Sequence, residues 1–250
     1  MIKHILLSLM LCLPFSLFAQ KSKKKVNYTF SRLEQVAVDG NVEEWENHLN
    51  ALEDLWSFGV AERNNVLFVA IVIKDIQLQR EALSGGIFVN ISYNDKRKDG
   101  ARLYFPYWDR ERKKALSASE ELRQTENFEQ ALLEKVNGYY LQGFGRVRDG
   151  LLALDNDYGI RATTLVDSNK NLVYEARIPL ELVGLKSDVV AVQVGVRTQY
   201  AMMKKAMESS NRPTNRGYGY GYPVMGGPSL KNPYKAETEI WIVDKVEKSN

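Results

Sequence analysis

Apolar and polar residues alternate with a period of two along much of the chain. Val190, Val192, Val194 and Val196 alternate with Gln193, Gly195, Arg197 and Gln199, which predicts a half-buried strand with one wet face. Leu172, Tyr174, Ala176 and Ile178 alternate with Val173, Glu175 and Arg177. The run Asp167–Asn171 (Asp-Ser-Asn-Lys-Asn) reads as a turn and Ile160–Val166 as the strand before it, so this stretch predicts a hairpin. Ile87, Val89, Ile91 and Tyr93 form another alternating face. Leu67–Ile73 is apolar almost throughout, as expected of a central strand covered on both faces. Trp56–Val60, Ala101–Phe105, Tyr139–Phe144 and Ile240–Val243 are further strand candidates.

Helical spacing is scarce. Glu43–Leu52 predicts a short helix with Trp45, Leu49 and Leu52 on one side. Asn127–Val136 predicts a better one, with Phe128, Leu132, Leu133 and Val136 at helical intervals. The charged run Asp109–Gln124 either extends that helix or forms an exposed loop. Many short strands separated by turn signals define an all-β fold: an antiparallel two-sheet β-sandwich, jelly-roll-like, with one or two short helical insertions. Met202–Lys235 stands apart as a long connection that is either low-complexity or functional. It holds Gly217-Tyr218-Gly219-Tyr220-Gly221-Tyr222-Pro223, in which glycines alternate with tyrosines that carry apolar faces and polar tips.

The first residues change the picture of compartment. Lys3 and His4 precede the apolar run Ile5–Phe18, and Ala19 supplies a small residue for cleavage. Met1–Ala19 therefore reads as an export signal, giving a periplasmic or extracellular protein without a transmembrane anchor after cleavage. Cys12 is the chain's one cysteine. It precludes an intrachain disulfide, and a mature chain without a thiol suits an oxidising compartment. Residues 20–36, with the Lys21–Lys25 cluster, are expected to be a flexible basic segment, and residues 37–250 a single sandwich domain. The chain has 250 residues, with 34 basic and 31 acidic side chains and a net charge of +3, which gives no case for nucleic acid.

Three ordered segments carry a family resemblance. They are Val38-Asp39-Gly40-Asn41-Val42-Glu43-Glu44-Trp45, then Leu67-Phe68-Val69-Ala70 running on to Asp75, then Tyr174-Glu175-Ala176-Arg177-Ile178-Pro179-Leu180 with Gly184 after it. Together they resemble the family 9 carbohydrate-binding modules and their relatives of the DOMON-like sandwich class. The resemblance implies a β-sandwich whose ligand is a glycan held by aromatic side chains at one edge, with calcium in some members and haem in some DOMON relatives. Charged residues at Lys96–Lys98, the helical insertion around Asp109–Val136 and the Gly/Tyr loop place the chain nearer a secreted subgroup of unclear activity. Read as residues alone, the three segments are architectural: Asp39-Gly40 is a turn, Trp45 plugs the sandwich end, Asp75 ends a strand and Pro179 stops a ladder.

Glycan recognition needs flat aromatic faces and planar polar groups. Trp108 and Tyr107 follow a strand end beside Pro106 and are candidates for a loop platform. Trp56 starts a strand and fits either core or site; Trp45 and Trp241 fit the core. Arg197 and Gln199 face the wet side of their strand, and Tyr218, Tyr220 and Tyr222 complete the candidate set. Enzymatic signatures are thin. His48 is the one histidine outside the signal, and no phosphate loop or metal-ligating cluster stands out, so the expectation is a non-catalytic protein without a cofactor. A two-carboxylate hydrolase and an envelope protein-interaction sandwich are the alternatives. Calcium at Asp39, Asp75 or Asp155–Asp157 needs converging oxygens that a plain surface turn does not supply. Haem would have to use His48 with Met202, Met203, Met207 or Met225.

Overall fold

The computed structural model describes residues 26–210 and 230–247. Strands β1 (Asn50–Leu52), β2 (Trp56–Arg63) and β3 (Val66–Ile73) come first, followed by helix α1 (Ile76–Gly85), β4 (Ile87–Ile91) and β5 (Ala101–Phe105). Helices α2 (Arg110–Ala118), α3 (Glu120–Gln124) and α4 (Phe128–Leu133) lead to β6 (Gly138–Gln142), β7 (Gly150–Ala153), β8 (Arg161–Val166), β9 (Leu172–Pro179) and β10 (Val189–Val196). Helix α5 (Gln199–Ser210) and β11 (Glu239–Lys245) follow. The strands form a five-stranded sheet in the order β1-β2-β3-β9-β8 and a six-stranded sheet in the order β11-β10-β4-β5-β6-β7. All pairings between these strands are antiparallel. The protein is a two-sheet β-sandwich.

Alternation decides which side chains meet between the sheets. Phe58, Val60, Val69, Ile71, Tyr174 and Ile178 from the five-stranded sheet join Val89, Leu103, Leu141, Val192 and Val194 from the six-stranded one in a single core. The outer face of the five-stranded sheet is covered as well. Trp45 lies on Gly59, Ala61 and Ala70, and Leu33, Val36, Val38, Val42 and Leu49 surround it. This second layer explains the unbroken apolar run of β3, because Phe68 and Ala70 point into it while Val69 and Ile71 point into the main core.

Several elements differ from their sequence reading. The helix expected over Glu43–Leu52 is a single 3-10 turn, Glu43–Trp45, followed by β1. Asn47 adopts φ +68°, which a continuing right-handed helix does not allow. Asp109–Gln124 forms two helices of its own. Extended Ser119 ends α2, and its hydroxyl accepts from Leu122 N–H to start α3. The helix expected over Asn127–Val136 is present as α4. Helix α1 was not anticipated, although Asp75 caps it through Leu78 N–H (2.8 Å) and Gly86 follows it at φ +92°. The helical content thus exceeds one or two insertions. Met202–Ser210, read as loop, is the greater part of α5.

Residues 26–36, expected to be flexible, lie against the sandwich. Ser31 bridges Ala61 in parallel and donates to Val60 C=O at 2.7 Å. Phe30 N–H donates to Asp244 Oδ2 at 2.8 Å, and Tyr28 meets Phe58 edge-on with ring centroids 5.0 Å apart. Among the described residues no helix is long and apolar enough to cross a membrane. Met1–Ala19 lies outside the described residues.

Candidate functional site

Two of the residues expected to meet a ligand are core residues. Trp108 is only 5% exposed, and its indole N–H donates to Leu83 C=O at 2.7 Å. Trp56 is 1% exposed, with its indole N–H on Glu237 C=O at 2.8 Å. With ring and N–H both occupied, neither presents a face to solvent, which corrects the expected platform. Tyr107 is half-buried and stacks on Tyr140, centroids 4.5 Å apart with an interplanar angle of 21°. Arg197 is exposed and lies 5.6 Å from the Tyr104 ring centre. Gln199 instead opens α5, its backbone N–H donating to Glu81. Tyr218, Tyr220, Tyr222 and Met225 lie outside the described residues.

The surface that brings site-like residues together is the outer face of the six-stranded sheet. Register places Phe88 opposite Tyr104 and Tyr104 opposite Tyr140, so three rings form one row across β4, β5 and β6. Neighbouring centroids in that row are 6.2 and 6.1 Å apart. On the far side of Phe88 the row continues through Gly195 and Glu239. One residue pair along, a second row runs Trp241, Gln193, Asn90, Arg102 and Gln142 across the same face. Both rows point outward because their in-between neighbours, such as Val89, Leu103 and Val194, fill the core. Helix α5 lies along one side, contributing Tyr200, Met202 and Lys205, and together with Phe88, Tyr104, Gln193, Arg102, Gln142 and Trp241 it lines a groove of about 1160 Å³.

The amides in this face are positioned by their neighbours. Asn90 is fully buried; its Oδ1 accepts from Gly100 N–H at 2.8 Å, and its Nδ2 donates to Gln193 Oε1 at 3.2 Å. That fixes Gln193 without a backbone contact. Charge is distributed unevenly. Asp99 pairs with Arg102 and lies 3.6 Å from Lys205. Burial raises the Glu239 carboxyl, while Lys205 and Lys204 pull it down. At the aromatic end, burial raises the Tyr107 hydroxyl, and burial together with Arg197 lowers the Lys113 ammonium.

Sequence reading missed most of this face. Trp241 fits the core by its sequence pattern, yet it is half-exposed in the groove. Phe88, Tyr104, Tyr140, Gln193 and Arg102 were passed over. Their signal was alternation read with the opposite phase: between the core positions of four separate strands stand aromatic, amide or guanidinium side chains.

A smaller cleft of about 260 Å³ lies between Asn64, Asn65, Asp157, Tyr158, Arg177 and Glu181. Arg177 is already engaged there, donating to Gly159 C=O. Asp39 Oδ1 accepts from Asn41 N–H, and Asp75 caps α1. Among the described residues, no group of three or more His, Cys, Asp or Glu is placed to hold a metal ion. His48 lies by the outer face of the five-stranded sheet, its carbonyl near Gly59. Met202, Met203 and Met207 belong to α5 on the opposite face, so the sandwich separates the candidate haem ligands.

No protein-family model matches the chain, and no curated protein matches it. Among solved structures the chain is similar to a carbohydrate binding module family 9 (CBM9) from Caldicellulosiruptor kristjanssonii in complex with glucose. The identity is 14%, the match covers 70% of this chain and 80% of that one, and the TM-score is 0.31. The two-sheet architecture itself rests on this chain's own strand pairings.

Proposed function

We propose that the protein is an exported, non-catalytic glycan-binding sandwich whose site is the outer face of its six-stranded sheet. One observation carries the reading: rings (Phe88, Tyr104, Trp241) and planar polar groups (Gln193, Arg102, Gln142) line one groove. Apolar C–H faces of a pyranose pack on rings, and its hydroxyls pair with amides and guanidinium groups. The groove is large enough for several small-ligand volumes, as a polymer chain requires. Ligand contact shifts from the loop edge to the sheet face. The periplasmic or extracellular location follows from Met1–Ala19 as a signal.

Isothermal calorimetry of the purified chain against a panel of plant and bacterial polysaccharides tests the reading. Binding to at least one polymer is expected, weakened about tenfold or more by Tyr104→Ala, the loss of about 1.4 kcal/mol. Silence across the panel, or binding untouched by Tyr104→Ala and Gln193→Ala, overturns it.

A further inference from the structure

The groove's charges are not all balanced within the protein. Two of its acidic side chains are answered by cations: Asp99 by Arg102 and Lys205, Glu239 by Lys204 and Lys205. Arg197 lies apart from this exchange. Its backbone N–H bonds to Gly86 C=O, but among the described residues its guanidinium has no carboxylate within salt-bridge reach. The nearby carboxylates are committed elsewhere. Asp109 caps α2 through Arg112 N–H at 2.7 Å, and Glu81 accepts from Tyr234 Oη at 2.7 Å and from Gln199 N–H.

The guanidinium contacts the Tyr104 ring. A cation–π contact of this kind uses none of the guanidinium N–H donors, whose fork matches a carboxylate. A second cation, Lys113 on α2, is close enough for the two like charges to act on each other. Arg197, exposed in the groove beside the Tyr104 ring with no carboxylate in salt-bridge reach among the described residues, is a cation answered only when an anion arrives.

Resting on the glycan reading above, we propose that the ligand is an acidic glycan, a uronate-bearing polysaccharide, with a ring carboxylate held by Arg197, Lys113 adding like charge nearby, and the sugar against the Tyr104 ring. Neutral sugars would leave Arg197 unanswered. A carboxylate on the pyranose ring places charge and apolar face within one residue of the polymer, as Arg197 and Tyr104 do in the protein.

The test uses the purified full chain with polygalacturonate and alginate, each compared with its methyl-esterified form, at low and high salt. Expected is binding about tenfold tighter to the acids than to the esters, weakening with salt. Arg197→Gln should cost about tenfold for the acids and leave the esters within about twofold, with Lys113→Met producing a smaller loss of the same sign. Arg197 and Lys113 are exposed, so unchanged circular dichroism is expected for both variants. Equal affinity for acid and ester, or an equal loss for both in Arg197→Gln, overturns the acidic preference while leaving a glycan site standing. Heparin or DNA binding as tightly as the uronates overturns it too, since charge alone would then suffice. No binding to either acids, esters or neutral polymers brings down the glycan reading itself.

Discussion

Glu175 shows how one residue ties separate parts of the chain together. It lies on β9, 1% exposed, on the outer face of the five-stranded sheet. Its Oε2 accepts from Asp39 N–H (3.1 Å) and Gly40 N–H (2.8 Å), and its Oε1 from the Trp45 indole N–H (3.1 Å). Burial pushes its carboxyl up to about 7 against the pull of those three donors. Between the ordinary value of 4.5 and about 7, the unfolded chain has released this proton while the folded chain keeps it. The contribution is therefore full below the ordinary value, and stability is lost as pH rises through about 7. Thermal melts at pH values spanning that window should show the decline, and Glu175→Gln should flatten it; an identical slope in the variant would refute the assignment. Glu175→Ala strands the indole N–H and two backbone N–H groups and should cost about 2–3 kcal/mol in urea unfolding. Glu175 reads in sequence as one more polar residue on a strand. Its partners lie 130 to 136 positions away, and no local pattern reveals them.

At the scale of elements, Trp45 and β2 are made for each other. A Cβ on Gly59 would stand 2.5 Å from Trp45 Cε3, so the indole occupies the space a side chain would fill. Gly59→Ala should therefore displace the ring, lowering stability by about 1–3 kcal/mol and the melting temperature by several degrees. A red shift in tryptophan emission should accompany the loss. An unchanged melt would mean that the ring has room to move. The helix expected over Glu43–Leu52 failed for a related reason: the chain must turn at Asn47 to bring Trp45 down on β2 and start β1. Strands were more legible than helices because their alternation is set by two-sided burial. In short helices such as α1, caps decide as much as periodicity.

The whole molecule includes more of the N-terminal chain than composition implies. A basic, polar stretch invites a reading as a tail, yet Tyr28, Leu33 and Val36 pack on the sandwich, and Phe30 and Ser31 hydrogen-bond to it. A chain starting at residue 37 should melt several degrees below one starting at residue 26, since partial burial of those side chains contributes about 1 kcal/mol each. Equal melting temperatures would show that residues 26–36 add nothing to the domain.

By itself the sequence determined the sandwich. Alternation over Val190–Val196, Leu172–Ile178 and Ile87–Ile91 leaves each strand one face to bury, and two stacked sheets bury all of them at once. It also offers Arg197, on the wet side of its strand, and Tyr107, past a strand end, as candidates for ligand contact. Only the tertiary structure decided that Trp56 and Trp108 are core, that Trp241 is not, and that Phe88, Tyr104 and Tyr140 form one row. The reason is register: a strand's own pattern tells which residues share a face, but which strand lies beside it, and at what offset, is settled by packing between residues far apart in the chain.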